Sequence, residues 1–476
     1  MKRVTFNRPW PLFDGQATRC IEQTTASSLP PHALMQRAGL AVARLALAIA
    51  PHARTVWIAC GPGNNGGDGL EAAMHLQQWG KKAVVSWLGG EATAPADALA
   101  SLHRARAAGV AFAAEPPASY QLAIDALLGI GSTRPLQGAM AEWAALMAQA
   151  AAPVLSVDIP SGLNADTGQG AAVQAAHTLS LLTLKPGLFN AGGRDACGAV
   201  WFDDLGVVAQ EAPVAWLAGP PVRGTRLHAS HKGSYGDVVV AGGATGMTGA
   251  ALLAATAALH GGAGRVLVAL LDGGSMAVDP SRPELMFREW NSLDLAALHL
   301  ACGCGGGDAV RSVLPRAMSS ARSLVLDADA LNAIAADSQL QSLLQARARR
   351  TDRPTVLTPH PLEAARLLGV TTASVQGNRL ACARALVERF GCTVVLKGSG
   401  TVTASPGEIP VINSTGNGRL ATAGTGDVLA GLVAARLAGG AGAFDAAWGA
   451  VYDHGLAADR WPATETLTAS NLAVRC

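Results

Sequence analysis

Three stretches of the 476-residue chain set carboxylates, amides and hydroxyls among glycines where strands should end. They are GPGNNGGDG (61–69), DALLGIGSTRPLQG (125–138) and SVDIPSGLNADTG (156–168). In open parallel sheets, ligands bind beyond the carboxyl ends of strands. Asn65, Asp125 and Ser161 can therefore converge from three such ends, and an all-oxygen set suits a hard cation. Gly61, Gly63 and Gly66 also satisfy G-x-G-x-x-G. A helix opening near Asp68, however, would aim a carboxylate where a pyrophosphate should rest, and no acid follows the next strand until Glu91. Asn64, Asn65 and Asp68 suggest sugar hydroxyls or an ion instead. Taken singly, each loop also reads as ordinary turn chemistry.

The second half carries a different kind of site. Ala423-Gly424-Thr425-Gly426-Asp427 precedes an apolar-periodic helix. Glycines let backbone N–H groups crowd together, and the helix start adds its positive end, which makes an anion hole. Asp427 in the same turn can take the proton from a hydroxyl as it attacks a phosphoryl group, or simply cap the helix. Lys397-Gly398-Ser399-Gly400-Thr401 follows a strand and can cradle a nucleotide, without the spacing of a Walker P-loop. His360 stands between two prolines at another strand end, which favours a ligand-facing role.

These residues need elements to position them. Helical patterning covers 17–29 and 33–49. Strands at 55–59, 83–88, 122–124, 154–157 and 178–184 then alternate with helices at 69–78, 96–107 and 139–150. The three-proline stretch 211–224 breaks the rhythm and reads as a linker. Strands at 237–241, 265–270, 323–326, 355–357 and 393–396 and helices at 250–260 and 426–437 follow. The expected fold is α/β in two domains, 1–210 and 225–476, each built on a parallel sheet covered on both faces.

Net charge is only +2, without a strong basic field, so nucleic acid is not an expected partner. Residues 238–259 lack charge but are interrupted by glycines, so no membrane span is expected. The N-terminus shows no secretory signal, and eight scattered cysteines fit a reducing cytoplasm. A homo-oligomer is expected.

The first half resembles the NAD(P)HX epimerases of the YjeF N-terminal type, over nearly all of 15–206. The resemblance runs from Leu34-Met35-Gln36-Arg37-Ala38-Gly39 through GPGNNGGDG, DALLG, RPLQG and VDIPSGLNADTG to Leu184-Lys185-Pro186-Gly187-Leu188. It implies a Rossmann-like domain that interconverts the R and S forms of NAD(P)H hydrated on the nicotinamide ring. It implies substrate contact by Asn64, Asn65, Gly66, Gly67 and Asp68, by Gly129, Ile130, Gly131, Ser132, Thr133, Arg134 and Pro135, and by Asp158. It also implies a potassium ion on Asn65, Asp125 and Ser161. Asp125 is the candidate acid/base, since a carboxylate beside a cation has a lowered pKa. Ile130 and Ser132 stand where the family more often shows Thr and Leu.

The second half resembles the ADP-dependent (S)-NAD(P)HX dehydratases of the ribokinase-like superfamily, over about 225–474. The matching segments are HKGSYG (231–236), GAA (249–251), DADALN (327–332), TPHPLE (358–363), KGSGT (397–401) and AGTGD (423–427). The resemblance implies that Ala250, Gly305, His360 and Asp427 contact the hydrated dinucleotide, that Lys397, Gly398, Ser399, Gly400, Thr401 and Gly426 hold the adenine nucleotide, and that Asp427 activates the ring hydroxyl. Mg²⁺ is expected with ADP. The family usually shows Gly-Pro-Gly-Leu-Gly where this chain has Gly303-Cys304-Gly305-Gly306-Gly307, so a looser turn is expected there.

The function expected is repair of damaged NAD(P)H by epimerisation and ADP-dependent dehydration. The alternatives are a kinase for a small alcohol or vitamin precursor with a regulatory first domain, a non-enzymatic metabolite-binding module and, last, an ordinary NAD-dependent dehydrogenase.

Overall fold

The computed structural model describes residues 1–131, 134–222 and 224–476. The expected contacts Ser132 and Thr133 lie outside the described residues. Its contacts divide the chain into two units. One holds Trp10–Ala215 with Met1–Thr5, the other Trp216–Cys476 with Phe6–Pro9.

The first unit is built on an eight-stranded sheet. From edge to edge it runs Lys2–Arg3, Ala199–Asp203, His177–Leu181, Val154–Val157, Leu122–Ala126, Thr55–Cys60, Lys82–Trp87 and Ala111–Phe112. Every pairing is parallel except that of the first two strands. Period-two alternation sorts the central strand between two cores. Val56, Ile58 and Cys60 pack with Val42, Leu45, Leu70 and Leu102 from three helices. Trp57 and Ala59 face the other way, onto Trp143 and Met147 of the helix Ala139–Gln149.

One boundary differs from the sequence reading in a way that matters. The helix expected at 69–78 begins at Asn64, with Gly63 as its N-cap. Gly66, Gly67 and Gly69 are therefore not loop residues but contact points of a closely docked helix. A Cβ on Gly66 would sit 2.0 Å from the Gly61 carbonyl oxygen, and one on Gly69 would sit 2.6 Å from Ala126 Cβ. Asp68 consequently lies in the second turn, not at the helix start.

In the second unit the parallel strands run Met286–Phe287, Arg265–Leu270, Asp237–Gly242, His299–Cys302, Ser323–Leu326, Thr355–Leu357 and Thr393–Leu396. Val402–Ala404 and Val411–Ile412 extend the sheet by antiparallel pairing. Ala215–Leu217 then pairs parallel with Val411–Ile412, so the stretch read as a linker contains a strand. The uncharged stretch 238–259 divides between a strand and the helix Thr248–His260. That helix packs on Thr425–Ala438 so closely that a Cβ on Gly431 would lie 2.0 Å from the Ala254 carbonyl oxygen. No helix of the described residues is long and apolar enough to cross a membrane.

Candidate active sites

At the strand ends of the first unit lies a cavity of about 960 Å³. This is at the upper end of small-molecule sites and roomy enough for a dinucleotide. Of the expected substrate contacts, Asn64, Asn65, Asp68, Gly129, Ile130, Gly131, Arg134 and Asp158 line it. Gly66 and Gly67 do not. Gly66 is pressed on Gly61, and Gly67 on Met35 and Ala98. Pro135 is also absent from the lining.

Ionisable side chains of Asp68, Asp158, Lys185 and Glu22 line this cavity; the sequence reading expected Asp68 and Asp158 as substrate contacts and gave Lys185 and Glu22 no role. Asp68 is half-buried, with no hydrogen-bond partner among the described residues. Burial, and then the negative charges of Asp158 and Glu22, hold its carboxyl well above the ordinary range. Asp158 follows the strand Val154–Val157 with φ at 66°, a left-handed conformation that costs a non-glycine residue about 1 kcal/mol or more. The fully buried Lys185 pairs with it and also donates to the Leu181 carbonyl at 2.8 Å. Glu22 arrives from the helix Gly15–Ala26.

Asp125 behaves otherwise. It is fully buried and is not part of the cavity lining. Its Oδ2 accepts from Ser156 Oγ at 2.7 Å and Ser161 N at 2.9 Å, and its Oδ1 from Ser161 Oγ at 2.5 Å and Leu127 N at 3.4 Å. Burial raises its pKa, against the opposing pull of these hydrogen bonds. A carboxylate so enclosed is poorly placed to exchange protons with a ligand in the cavity.

Ser161 is bonded to Asp125, and Asn65 lies beside Gly129 of the neighbouring loop. Ser161 Oγ accepts from Leu128 N at 2.8 Å, and a Cβ on the neighbouring Gly129 would lie 3.3 Å from Asn65 Oδ1. Asn65 Nδ2 is buried without a hydrogen-bond partner. Amide nitrogen and oxygen are assigned from their surroundings, and an orphaned amide is equally an oxygen with a lone pair to give.

In the second unit strand ends gather around Asp427, in the first turn of the helix Thr425–Ala438. Gly424 caps that helix with φ at 89°. Ligating atoms of Asp427, Asp327 and Cys304 lie within 4.8 Å of one another. Burial, then the Asp327 charge, raises Asp427 to about 6. Lys397 Nζ donates to Asp327 Oδ1 at 2.6 Å and lies 3.3 Å from where a Cβ on Gly426 would be. Burial alone would lower the Lys397 pKa, but the carboxylates of Asp327 and Glu363 outweigh it and raise it. The two expected nucleotide-binding segments, 397–401 and 424–427, are therefore neighbours.

The turn after Lys397 is held open by left-handed glycines, Gly398 with φ at 138° and Gly400 at 62°. Thr401 Oγ1 closes it onto the Gly398 carbonyl at 2.9 Å. From below, the buried Arg379 donates to the carbonyls of Leu396 and Lys397, both at 3.0 Å. The sequence reading missed this brace, since nothing in the pattern of the helix Arg379–Phe390 separates Arg379 from its solvated arginines.

Residues 303–307 are not loose. Gly243 N bonds the Cys304 carbonyl at 3.0 Å, Ala244 N the Gly305 carbonyl at 2.7 Å, and Gly307 N the Asp329 carboxylate at 2.8 Å. A Cβ on Gly305, whose φ is 59°, would meet Ala250 Cβ at 2.9 Å, so these two expected contacts are adjacent. His360 caps the helix Pro361–Leu368. Its Nδ1 accepts from Leu362 N at 3.1 Å and Glu363 N at 3.4 Å, and its Nε2 lies 3.2 Å from Glu363 Oε1.

Residues 31–187 match the family described as YjeF-related protein N-terminus, and residues 238–475 match NAD(P)H-hydrate dehydratase. The chain is 36% identical over 465 residues to the bifunctional NAD(P)H-hydrate repair enzyme Nnr of Escherichia coli (strain K12), covering 92% of this chain and 87% of that protein. It is 33% identical over 471 residues to the Nnr enzyme of Coxiella burnetii, covering 94% of each. An ADP-dependent (S)-NAD(P)H-hydrate dehydratase of Neisseria meningitidis is 42% identical over 250 residues, 51% of this chain and 83% of that one. Two catalytic folds in one chain, matched in order and over nearly full length, place the chain in the family of bifunctional NAD(P)H-hydrate repair enzymes.

Proposed function

We propose that the chain repairs NAD(P)H hydrated on its nicotinamide ring. The domain 1–210 interconverts the R and S forms, and the domain 225–476 returns the S form to NAD(P)H, turning ADP into AMP and phosphate. The observation that carries the second activity is Asp427 beside the cradle of Lys397 and Gly426. Asp427 takes the proton from the ring hydroxyl as its oxygen attacks the terminal phosphorus of ADP, and the bond to the bridging oxygen breaks to release AMP. The ring nitrogen then expels phosphate with its C–O bond, a ring C–H proton is lost, and the double bond returns. Lys397 and the N–H groups of 398–401 and 426 hold the nucleotide's phosphates, and magnesium enters bound to ADP.

In the first domain the proposed acid is Asp68, which faces the cavity protonated. It gives its proton to the departing hydroxyl, and as a carboxylate takes one from the water that re-adds on the other face. Asp158 and Lys185 set its charge environment. The residues around Asp125 fit a potassium ion. The supporting features are a buried carboxylate with no cationic side chain among its hydrogen-bond partners and the orphaned buried amide of Asn65. Asn65, Asp125 and Ser161 would hold it, and the ion would supply compensating charge below the cavity. We place the enzyme in the cytoplasm, a reading supported by eight cysteines that stand as free thiols.

The test is hydrated NADH mixed with ADP, following the absorbance of the reduced ring. Recovery that stops in Asp427→Asn while epimer exchange continues is the expected result. Undiminished recovery in that variant overturns the assignment. Transfer of phosphate to a stable alcohol instead would make the second domain a kinase.

A further inference from the structure

Asp427 is a base that must be held ready and yet be free to turn to its substrate. The groups around it come from four elements. Cys304 follows the strand His299–Cys302, Asp327 and Asp329 follow Ser323–Leu326, and Lys397 follows Thr393–Leu396. His454, on the helix Ala443–Asp459, bonds the Thr425 carbonyl through Nε2 at 2.9 Å and is kept neutral, its pKa pushed down to about 4 by burial. Lys397 is already committed to Asp327, and Asp329 to Gly307 N. Of these side chains, the thiol of Cys304 is the one that can donate without leaving another partner, and it lies within 4.8 Å of the carboxylate.

Cys304 carries the only side chain on a five-residue loop of otherwise bare glycines, residues 303–307. It is fully buried, and its backbone is fixed by the bond from Gly243 N to its own carbonyl. Gly303 before it has φ at 118°, and a Cβ there would lie 2.0 Å from the Asp327 carbonyl oxygen. The loop thus delivers one thiol in one direction. Burial holds that thiol protonated, so it is a donor and not an anion competing with Asp427.

We propose that Cys304 is a positioning residue for dehydration, donating a weak and releasable hydrogen bond that keeps Asp427 aimed and ionised until the ring hydroxyl arrives. A thiol is the weakest of the common side-chain donors. It steadies the carboxylate, yet is given up at little cost when the base turns to substrate. Asp125, by contrast, is gripped by two hydroxyls and two backbone N–H groups, as suits a carboxylate that does not move. The proposal rests on Asp427 as the base.

The experiment measures dehydratase kcat/KM against pH for the full chain, for Cys304→Ala and for Cys304→Ser, with the melting of each variant as the measure of folding. Removing the donor disfavours the charged base. The acid limb of Cys304→Ala is therefore expected to move up by about half a pH unit or more, and that of Cys304→Ser to return to the wild-type position or below. A Cys304→Ala limb that coincides with wild type overturns the proposal, as does a Cys304→Ser limb that coincides with a displaced Cys304→Ala limb. Should Cys304→Ala fail to fold, Cys304→Ser decides: a limb at or below wild type supports the proposal, and one above it overturns it. Asp427→Asn is measured in parallel. If that variant dehydrates normally, the base assignment itself fails. If it is inactive while the Cys304→Ala limb stays put, only the role of Cys304 fails.

Discussion

Lys397 Nζ and Asp327 Oδ1 are 2.6 Å apart, and Thr358 Oγ1 donates to the same oxygen at 2.8 Å. The Asp327 side chain is 3% exposed and that of Lys397 18%. This pair joins two strand ends and sets the charge that Asp427 meets, and that the nucleotide's phosphates would meet on the proposed reading. Lys397→Met would leave Asp327 buried without its cation, a loss of about 3 kcal/mol in proteins generally. A lower melting temperature and a KM for ADP raised about tenfold or more are expected, with epimerisation retained. Calorimetry and steady-state kinetics on the same preparation check both.

The shift of Asp427 has a consequence for stability. Its carboxyl titrates at about 6 in the fold against 3.8 ordinarily. The native state therefore binds the proton more tightly, and this group removes stability as pH rises from about 4 to about 6, with the deficit constant above. Asp427→Asn should gain nothing near pH 3.5 and about 2 kcal/mol near pH 7.5, after allowance for partial exposure. Denaturant unfolding at the two pH values reads the difference, and an equal gain at both would contradict it.

Asp68 and Asp125 should separate cleanly on substitution. Asp68→Asn removes a proton donor that faces the cavity, and epimerisation should fall about a hundredfold or more with little change in melting. Asp125→Asn disturbs four hydrogen bonds in the core, and should lower the melting temperature and abolish any effect of potassium on it. Rates from epimer-resolved chromatography and melts in potassium against a larger organic cation decide between these roles.

His360 has both ring nitrogens engaged by its own helix, so only its ring face and edge are left for a ligand. His360→Asn keeps a capping side chain and loses the ring. A near-normal melting temperature with a raised KM for the hydrate is expected. His360→Ala should lose the cap as well, at about 1 kcal/mol. A normal KM in the Asn variant would remove His360 from the binding surface.

Much of this was legible in one dimension. Val56 to Cys60 alternate between the two cores, and the strand Val154–Val157 ends where it meets Asp158, as Arg265–Leu270 begins after Gly264. The helix start at Asn64 was not legible. Glycines spaced like a phosphate loop serve there as contact points for a neighbouring backbone, and glycine's lack of a side chain serves either purpose. Short strands such as Val411–Ile412 and Ala215–Leu217 were missed because two or three residues carry no period, and only their pairing defines them.

The sequence by itself determined the two α/β halves and the loops that carry chemistry, because periodicity and turn-forming residues act over a few positions. Which carboxylates face a cavity was decided by the tertiary structure. Asp68 stands open to ligand while Asp125 is sealed under Ser156 and Ser161, and Asp427 is lifted to about 6 by burial and by Asp327, a hundred positions away in the chain. Exposure, electrostatic neighbours and hydrogen-bond partners arise from chain segments brought together in space, so no local pattern encodes them.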